Sequence, residues 1–101
     1  MPFPLPPVPG TSDIVPLVNS DALSEEGEQQ KNCVRTYAKW VAKGEGHIYR
    51  VLRPERATLA IAKGPDGNWQ IAQLKLACNQ PVAEQTRKTV EAWLKRYSIS
   101  V

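Results

Sequence analysis

Histidine, cysteine and long apolar runs are the scarce features of this sequence. Its 101 residues include one histidine and two cysteines, too few, and at the wrong spacing, for a structural zinc site. No apolar run approaches the roughly 18 residues that a membrane-spanning helix needs, and no basic start leads into a continuous apolar segment of the kind a signal peptide has. We therefore expect a cytoplasmic protein with no metal, no cofactor and no membrane partner.

A self-sufficient catalytic motif is also missing, so we predict no catalytic residue. Hydrophobic residues at 42% and charged residues at 23% are close to globular averages, which excludes a wholly disordered chain. The length suits one domain with a single core.

The two cysteines, Cys33 and Cys78, each stand beside an asparagine. We expect Cys33 to be a buried small hydrophobic residue, and a disulfide between the two is disfavoured in a reducing compartment. A nucleophilic Cys33 would need His47 as its base within hydrogen-bond reach, which nothing in the spacing requires. His47, where a Gly-containing loop enters a strand, is expected to be solvated and structural. A cysteine-dependent enzyme is therefore the most distant alternative.

Negative and positive charge are separated along the chain. Residues 1–30 hold five acidic residues and no basic ones, whereas residues 31–101 hold all thirteen basic residues against five acidic ones, a net of +8. Such an asymmetry indicates an anionic partner for the basic part. Alternatively, the acidic first helix neutralises its own domain.

The N-terminal residues are rich in proline, with six of the nine prolines among the first sixteen residues. Each proline fixes φ and removes a backbone donor, so we expect residues 1–19 to form an extended arm without helix or central strand. The number of apolar residues in it predicts that part of the arm packs on the domain. The alternatives are a proline-rich ligand for an aromatic groove, although no Arg or Lys flanks it, and the remnant of a linker.

Helical patterning begins after Asn19. A capping residue followed by acidic residues predicts a helix start, and one face then repeats every three or four positions. The members of this stripe are Leu23, Gly27, Gln30, Val34, Tyr37 and Val41. The stripe predicts one helix, or two helices at about 21–31 and 33–43 with a break near Asn32.

The middle of the chain changes to the alternation of strands. Residues 47–52 and 56–63 are rich in β-branched and aromatic residues, and a Gly-Pro-Asp-Gly turn follows them. Residues 68–76 form a third predicted strand, in which the apolar face shifts between Ile71 and Ala72 as a β-bulge would cause. Short connections predict a three-stranded antiparallel meander.

A last helix is predicted to begin near Pro81, which suits a first turn, and Asn79 is a candidate for its cap. Its inward stripe is Val82, Thr86, Val90, Trp93, Leu94 and Tyr97. We expect residues 20–98 to form one α+β module, with one or two N-terminal helices, the meander, and a C-terminal helix packed on one face of the sheet. Both helical layers are expected on that same face.

Polar side chains at the ends of these elements are candidates for a pocket. Amides and hydroxyls without a titrating partner favour binding over catalysis. The predicted partner or pocket residues are Asn32, Cys33, Tyr37, Gln73 and Asn79, with Thr58 near them. The alternative is that these side chains satisfy helix ends and backbone groups.

Basic residues cluster in two places that could contact nucleic-acid phosphates. They are Arg50, Arg53 and Arg56 around the first hairpin, and Arg87, Lys88, Lys95 and Arg96 on the last helix. A strand places Arg50 and Tyr49 on opposite faces, so the sequence does not interleave aromatic and basic groups as single-strand binding requires. The alternative is an ordinary solvated face.

Three segments of the chain, 23–44, 48–61 and 69–82, resemble the conserved part of the PcfJ-like family, which is found on conjugative plasmids, other mobile elements and in bacterial genomes. The matching positions are Glu26, Gly27, Asn32, Cys33, Val34, Tyr37, Gly44, Thr58, Leu59, Trp69, Gln73, Asn79 and Pro81. The resemblance spans about residues 10–97. Many members have His where Asn32 stands, so any chemistry of that His is not open to this chain.

The resemblance implies a fold and a genomic setting more than an activity. We interpret the chain as a small non-catalytic binding module of a mobile-element protein that recognises a macromolecular partner, protein or nucleic acid. The alternatives are a nucleic-acid-binding accessory protein that uses the basic hairpin and last helix, and a small inhibitor of a host nucleic-acid machine.

Overall fold

A computed structural model describes residues 2–97, so the first residue of the predicted arm and residue 98 of the predicted module lie outside the described residues. The fold is α+β, as predicted. In chain order the elements are β1 (Ile14–Pro16), α1 (Ser20–Gln30), α2 (Ala38–Ala42), β2 (Gly46–Val51), β3 (Ala57–Lys63), β4 (Trp69–Lys75) and α3 (Glu84–Lys95), with short 3-10 turns at Val34–Tyr37 and Ala77–Asn79. Within residues 2–97, no helix has the length and apolar character needed to cross a bilayer.

The sheet has four antiparallel strands in the order β1-β2-β3-β4, one more than predicted. The extra strand, β1, comes from the proline-rich arm, and Ile14 pairs with Val51 of β2. A strand of three residues that ends in Pro16 gives no recognisable alternation in the sequence. Proline is tolerated there because β1 lies at the edge of the sheet, where one side of the strand needs no donor.

The bulge predicted in the last strand is present. Ala60 of β3 pairs with Gln73, but its neighbour Ile61 pairs with Ile71, so Ala72 is the extra residue. The bulge keeps both Ile71 and Leu74 in contact with the same hydrophobic cluster, although they are three positions apart and would face opposite sides of a regular strand.

Helices cover both faces of the sheet. One hydrophobic cluster contains Tyr49 of β2 and Val90 of α3, and the other contains Ile48 of β2 and Leu23 of α1. Because neighbouring residues of a strand point to opposite faces, α3 lies on one side and α1 on the other. The prediction of both helical layers on the same face was wrong. Five of the six residues of β2 are buried, so its sequence gives no polar face to exclude a second layer.

Part of the proline-rich arm packs on the α3 side of the sheet. The Tyr49 hydroxyl donates to the carbonyl oxygen of Val8 at 2.7 Å and accepts from its N–H at 3.3 Å. The indole Nε1 of Trp93 donates to the carbonyl oxygen of Pro9 at 3.0 Å. Val8 is 1% exposed, whereas Leu5 is 92% exposed. Phe3 packs against the other hydrophobic cluster, so the arm is anchored at Val8 and at Phe3, with Leu5 in solvent between them.

The last helix begins at Glu84, later than predicted, and Asn79 does not cap it. After β4 the chain makes a 3-10 turn, and Pro81 then forms an isolated bridge with Lys75. The carboxylate of Glu55 accepts hydrogen bonds from the Ala83 N–H at 2.8 Å and the Thr86 hydroxyl at 2.5 Å. The cap is therefore supplied from the β2–β3 connection, which local sequence around Pro81 cannot reveal.

Candidate functional site

A cavity of about 150 Å³, which we call the Asn32 cavity, lies between the end of α1 and the end of β4. Its lining residues are Asn32, Cys33, Val34, Tyr37, Thr58, Gln73, Lys75 and Asn79. The structure thus brings the five predicted pocket residues together around one space, with Lys75 as an additional member. Their role in binding stays a prediction.

Two local chain reversals form the walls of the Asn32 cavity. Lys31, with φ of 50°, ends α1, and the side-chain oxygen of Asn32 then accepts from the Val34 N–H at 3.0 Å. On the other wall, Cys78 and Asn79 have φ of 59° and 60°. Asparagine adopts this left-handed conformation more readily than most residues do, so Asn79 suits the turn that follows β4.

Behind the cavity, Thr58 belongs to a hydrogen-bond network centred on Glu26. The Asn32 side-chain amide donates to the Thr58 hydroxyl at 3.4 Å, and that hydroxyl donates to Glu26 at 2.5 Å. Glu26, which is fully buried, also accepts from Arg50 Nε at 3.0 Å and Arg56 Nη1 at 2.9 Å. The network therefore holds the amide of Asn32 in one orientation at the cavity wall.

The carboxyl group of Glu26 is ionised in this setting. Burial raises its pKa, but hydrogen bonds from Arg56, Thr58 and Arg50 outweigh burial and hold the pKa below its ordinary value. One carboxylate between two guanidinium groups leaves a net positive charge behind the Asn32 cavity.

The sequence analysis gave Glu26 no role in the site, although Glu26 is one of the positions that match the family. The signal that could have found it is spacing. Glu26 lies three residues after Leu23 and four before Gln30, both buried, so it shares their helix face.

Several polar groups around the cavity have no partner in the protein. Within residues 2–97, the side chains of Gln73, Lys75 and Asn79 take part in no hydrogen bond or ion pair. Asn32 commits its oxygen to Val34 and one of its two N–H groups to Thr58, which leaves one N–H free. None of the residues that line the cavity is acidic. The free groups are therefore mainly hydrogen-bond donors, one of them charged.

A larger groove of about 670 Å³ adjoins the cavity and shares Tyr37, Gln73 and Lys75 with it. We call it the β4 groove, and its lining is Tyr37, Trp40, Ile71, Ala72, Gln73, Leu74, Lys75 and Arg87. The rings of Tyr37 and Trp40 make an edge-to-face contact at 5.6 Å between centroids. Tyr37 is 38% exposed, although the helical stripe predicted that it faces inward.

Gly46 determines where the Trp40 ring lies. A Cβ atom at position 46 would stand 2.0 Å from Cη2 of Trp40, far inside van der Waals contact. The aromatic wall of the β4 groove therefore depends on the absence of a side chain at the start of β2.

The predicted phosphate-contacting residues differ in their availability. Arg50 and Arg56 bind Glu26, and Arg53 lies 3.9 Å from the Asp13 carboxylate but is 82% exposed. On α3, Arg87, Lys88, Lys95 and Arg96 are all exposed, and Lys88 pairs with Glu84 at 3.5 Å. The hairpin arginines thus have a structural partner that the sequence did not reveal.

The cysteines and the histidine occupy other places than expected. Both cysteines are exposed and unpaired with each other, so the expectation of a buried Cys33 was wrong. Its position in the turn after α1, outside the hydrophobic stripe, explains the difference. His47 is 1% exposed rather than solvated, and its Nε2 has no hydrogen-bond partner among residues 2–97.

His47 lies in the core, away from the cysteine. Its ring contacts those of Phe3 and Tyr49, and burial lowers its pKa. Because His47 does not line the Asn32 cavity, the structure does not place it as a base for Cys33. Within the described part of the chain, no group of His, Cys, Asp or Glu side chains is arranged to hold a metal ion.

The arrangement can therefore bind through donors, an aromatic wall and positive charge. Comparison with known proteins gives one family match, in which the model for PcfJ-like proteins covers residues 7–91, most of the chain. No curated protein and no solved structure matches the sequence. On the strength of the family match, which includes the residues of the Asn32 cavity, the chain belongs to the PcfJ-like family.

Proposed function

We propose that this PcfJ-like chain is a non-catalytic binding module that recognises a macromolecular partner, a protein, at the β4 groove and the Asn32 cavity. The observation that carries the proposal is the convergence of uncommitted polar groups beside an aromatic pair, in which Tyr37 is exposed and Trp40 is half-buried. Tyr37 and Trp40 supply an apolar wall, and Gln73 and Lys75 have no partner within residues 2–97. Amphipathic aromatic residues of this kind are common at the centres of protein interfaces.

Binding suits the site better than turnover of a substrate. General acid–base catalysis most often uses a histidine or a carboxylate, and neither type of side chain lines the cavity. Cys33 carries the thiol among the lining residues, and neither His47 nor a carboxylate lines the cavity beside it to activate it. The setting implied by the family is a mobile genetic element in a bacterial cytoplasm, where the module would contact a protein of the element or of its host.

A site-specific photocrosslinker tests the location of the partner. We would replace Tyr37 by p-benzoylphenylalanine, irradiate bacterial cells that carry the protein, and treat the extract with nuclease. The control position is Thr89, which is exposed on α3 and lines neither the cavity nor the groove. We expect a nuclease-resistant protein adduct from position 37 and none from position 89. An adduct from position 89 alone, or no adduct from the groove, contradicts the proposal.

A nucleic-acid partner is the second candidate, and the exposed basic residues on α3 and at its end favour it. Arg87, Lys95 and Arg96 have no ion-pair partner among residues 2–97, and Arg87 also lines the β4 groove. Each phosphate contact adds to the slope of log affinity against log salt. Changing Arg87 and Lys95 to Ala should therefore flatten that slope for a single-stranded oligonucleotide, whereas changing Arg50, which is bound to Glu26, should alter it little. An equal slope in all variants contradicts this candidate.

A further inference from the structure

We propose that the Asn32 cavity is a carboxylate-binding site, and that it takes an acidic side chain of the protein partner. The inference rests on the proposed function for the source of the carboxylate, but the chemistry of the cavity can be tested without any partner. The inference deepens the proposed function because it states which chemical group of the partner the Asn32 cavity recognises.

The donors at the cavity are arranged for an acceptor that brings negative charge. The oxygen of Asn32 is used by the Val34 N–H, and one N–H of the same amide is used by Thr58, so Asn32 has only a donor to offer. The Thr58 hydroxyl gives its hydrogen to Glu26 and cannot give it to a ligand. Lys75 adds an ammonium group with no counter-ion among residues 2–97. Hydrogen bonds to a charged group are stronger than those between neutral groups, which favours an anion over a neutral carbonyl.

The surroundings reinforce this preference. No acidic residue lines the cavity, and the one carboxylate behind it, Glu26, is already bound by Arg50 and Arg56. The site therefore has a positive field with no internal anion to satisfy it. In a partly enclosed space such a field is screened less than at an open surface.

The size of the cavity selects the kind of anion. A cavity of about 150 Å³ accommodates the carboxylate at the end of an acidic side chain together with part of that side chain, which can enter end-on. A phosphodiester lies in the middle of a polymer, between two sugars, and cannot enter a small cavity in this way. The planar carboxylate also offers two acceptor oxygens. Two oxygens suit donors on two walls of the cavity, with Asn32 on one wall and Gln73, Lys75 and Asn79 on the other.

The experiment is a titration of the ¹⁵N-labelled full chain followed by NMR. The probes are acetyl-glutamate amide, acetyl-glutamine amide as its neutral match, methyl phosphate, and a single-stranded thymidine oligonucleotide, all at equal ionic strength. We expect saturable shifts of the side-chain amide signals of Asn32, Gln73 and Asn79 with the glutamate probe and none with the glutamine probe. The Lys75→Met variant should weaken the glutamate interaction by about tenfold, and the control Lys88→Met, on the surface of α3, should leave it unchanged.

Three outcomes overturn the inference. One is the same response to the glutamine probe, and another is shifts spread over all surface Lys and Arg residues without saturation. The third is a stronger, cavity-specific response to methyl phosphate or to the oligonucleotide. Failure of this inference can be distinguished from failure of the proposed function. The photocrosslinker at position 37 is tested with and without the Lys75→Met change. If it captures a protein equally well in both cases, a protein binds at the β4 groove but its carboxylate does not bind in the Asn32 cavity.

Discussion

The carboxylate of Glu26 on α1 is held by the guanidinium group of Arg56, which lies just before β3. Arg56 Nη1 donates to Glu26 Oε2 at 2.9 Å, and its Nη2 donates to Oε1. Glu26 has no exposed surface, whereas the Arg56 side chain is 30% exposed. This pair ties the helical layer to the central strands and also faces the back of the Asn32 cavity through Thr58.

Glu26→Gln should destabilise the protein strongly. The change keeps the shape of the side chain but leaves Arg50 and Arg56 without their carboxylate, and breaking a buried pair by removing one partner costs roughly 3–5 kcal/mol. Because both arginines reach solvent, we expect a smaller loss than for a fully buried pair, about 2–3 kcal/mol in the free energy of unfolding. Urea denaturation measures it. The control is Glu25→Gln, since Glu25 is exposed and bonds only to Gln29 within its own helix. Equal stability of the two variants would refute the role of Glu26.

The contribution of Glu26 should disappear in acid. Its pKa is lowered in the folded protein by the bonds from Arg56, Thr58 and Arg50, which exceed the opposing effect of burial. A lowered folded pKa gives stability that is fully present above the unfolded pKa of about 4.3 and is lost as pH falls through the folded value. The difference in unfolding free energy between wild type and Glu26→Gln should therefore be constant above about pH 6 and shrink below about pH 4. A difference that does not change with pH would contradict the ionised state of Glu26.

Two residues of the arm should differ sharply in their effect on stability. Val8→Ala removes methyl groups from a cluster that includes Tyr49 and Trp93, and we expect a loss of about 1–3 kcal/mol. Leu5→Ala is the matched control, because Leu5 is 92% exposed and should change stability by less than about 0.5 kcal/mol. Thermal or urea unfolding gives both values. If the two variants lose equal stability, the arm is not anchored at Val8.

Gly46→Ala should displace the Trp40 ring. The new Cβ would lie 2.0 Å from Trp40 Cη2, and relief of such overpacking typically costs about 1–3 kcal/mol. We expect lower stability and an altered NMR signal of the Trp40 indole N–H. In a Trp40→Ala background the same glycine substitution should cost much less, since the clashing ring is gone. A cost that is unchanged in that background would show that the contact is not responsible.

Local patterns in the sequence were sufficient for most of the secondary structure. The Asn19 cap is made, with the Asn19 side chain accepting from the Ala22 N–H at 2.8 Å, and the helical region does break after α1. The bulge at Ala72 was visible as a shift in the apolar face. These features depend on residues close together in the chain, so the sequence states them directly.

Predictions of features that join distant segments of the chain were incomplete or wrong. The strand β1 pairs with β2 more than thirty residues later in the chain, and nothing in its three residues indicates that partner. Both helical layers were expected on one face, whereas β2 is buried on both sides and α1 and α3 pack on opposite faces of the sheet. Cys33 was expected to be a buried small hydrophobic residue beside Val34, but the structure exposes it in the turn that follows Lys31.

The uneven distribution of charge along the chain shows most clearly what the sequence determines and what the tertiary structure determines. From the sequence alone follow the α+β class, the family, and the set of polar residues from Asn32 to Asn79 that could form a pocket. The tertiary structure alone decided that Glu26, from the acidic segment, neutralises part of the charge of Arg50 and Arg56 from the basic one. It also decided that Lys75 stands at the cavity without an acid among residues 2–97 to balance it. The physical reason is that charges interact through space, over a few ångströms, while the sequence records only their order along the chain.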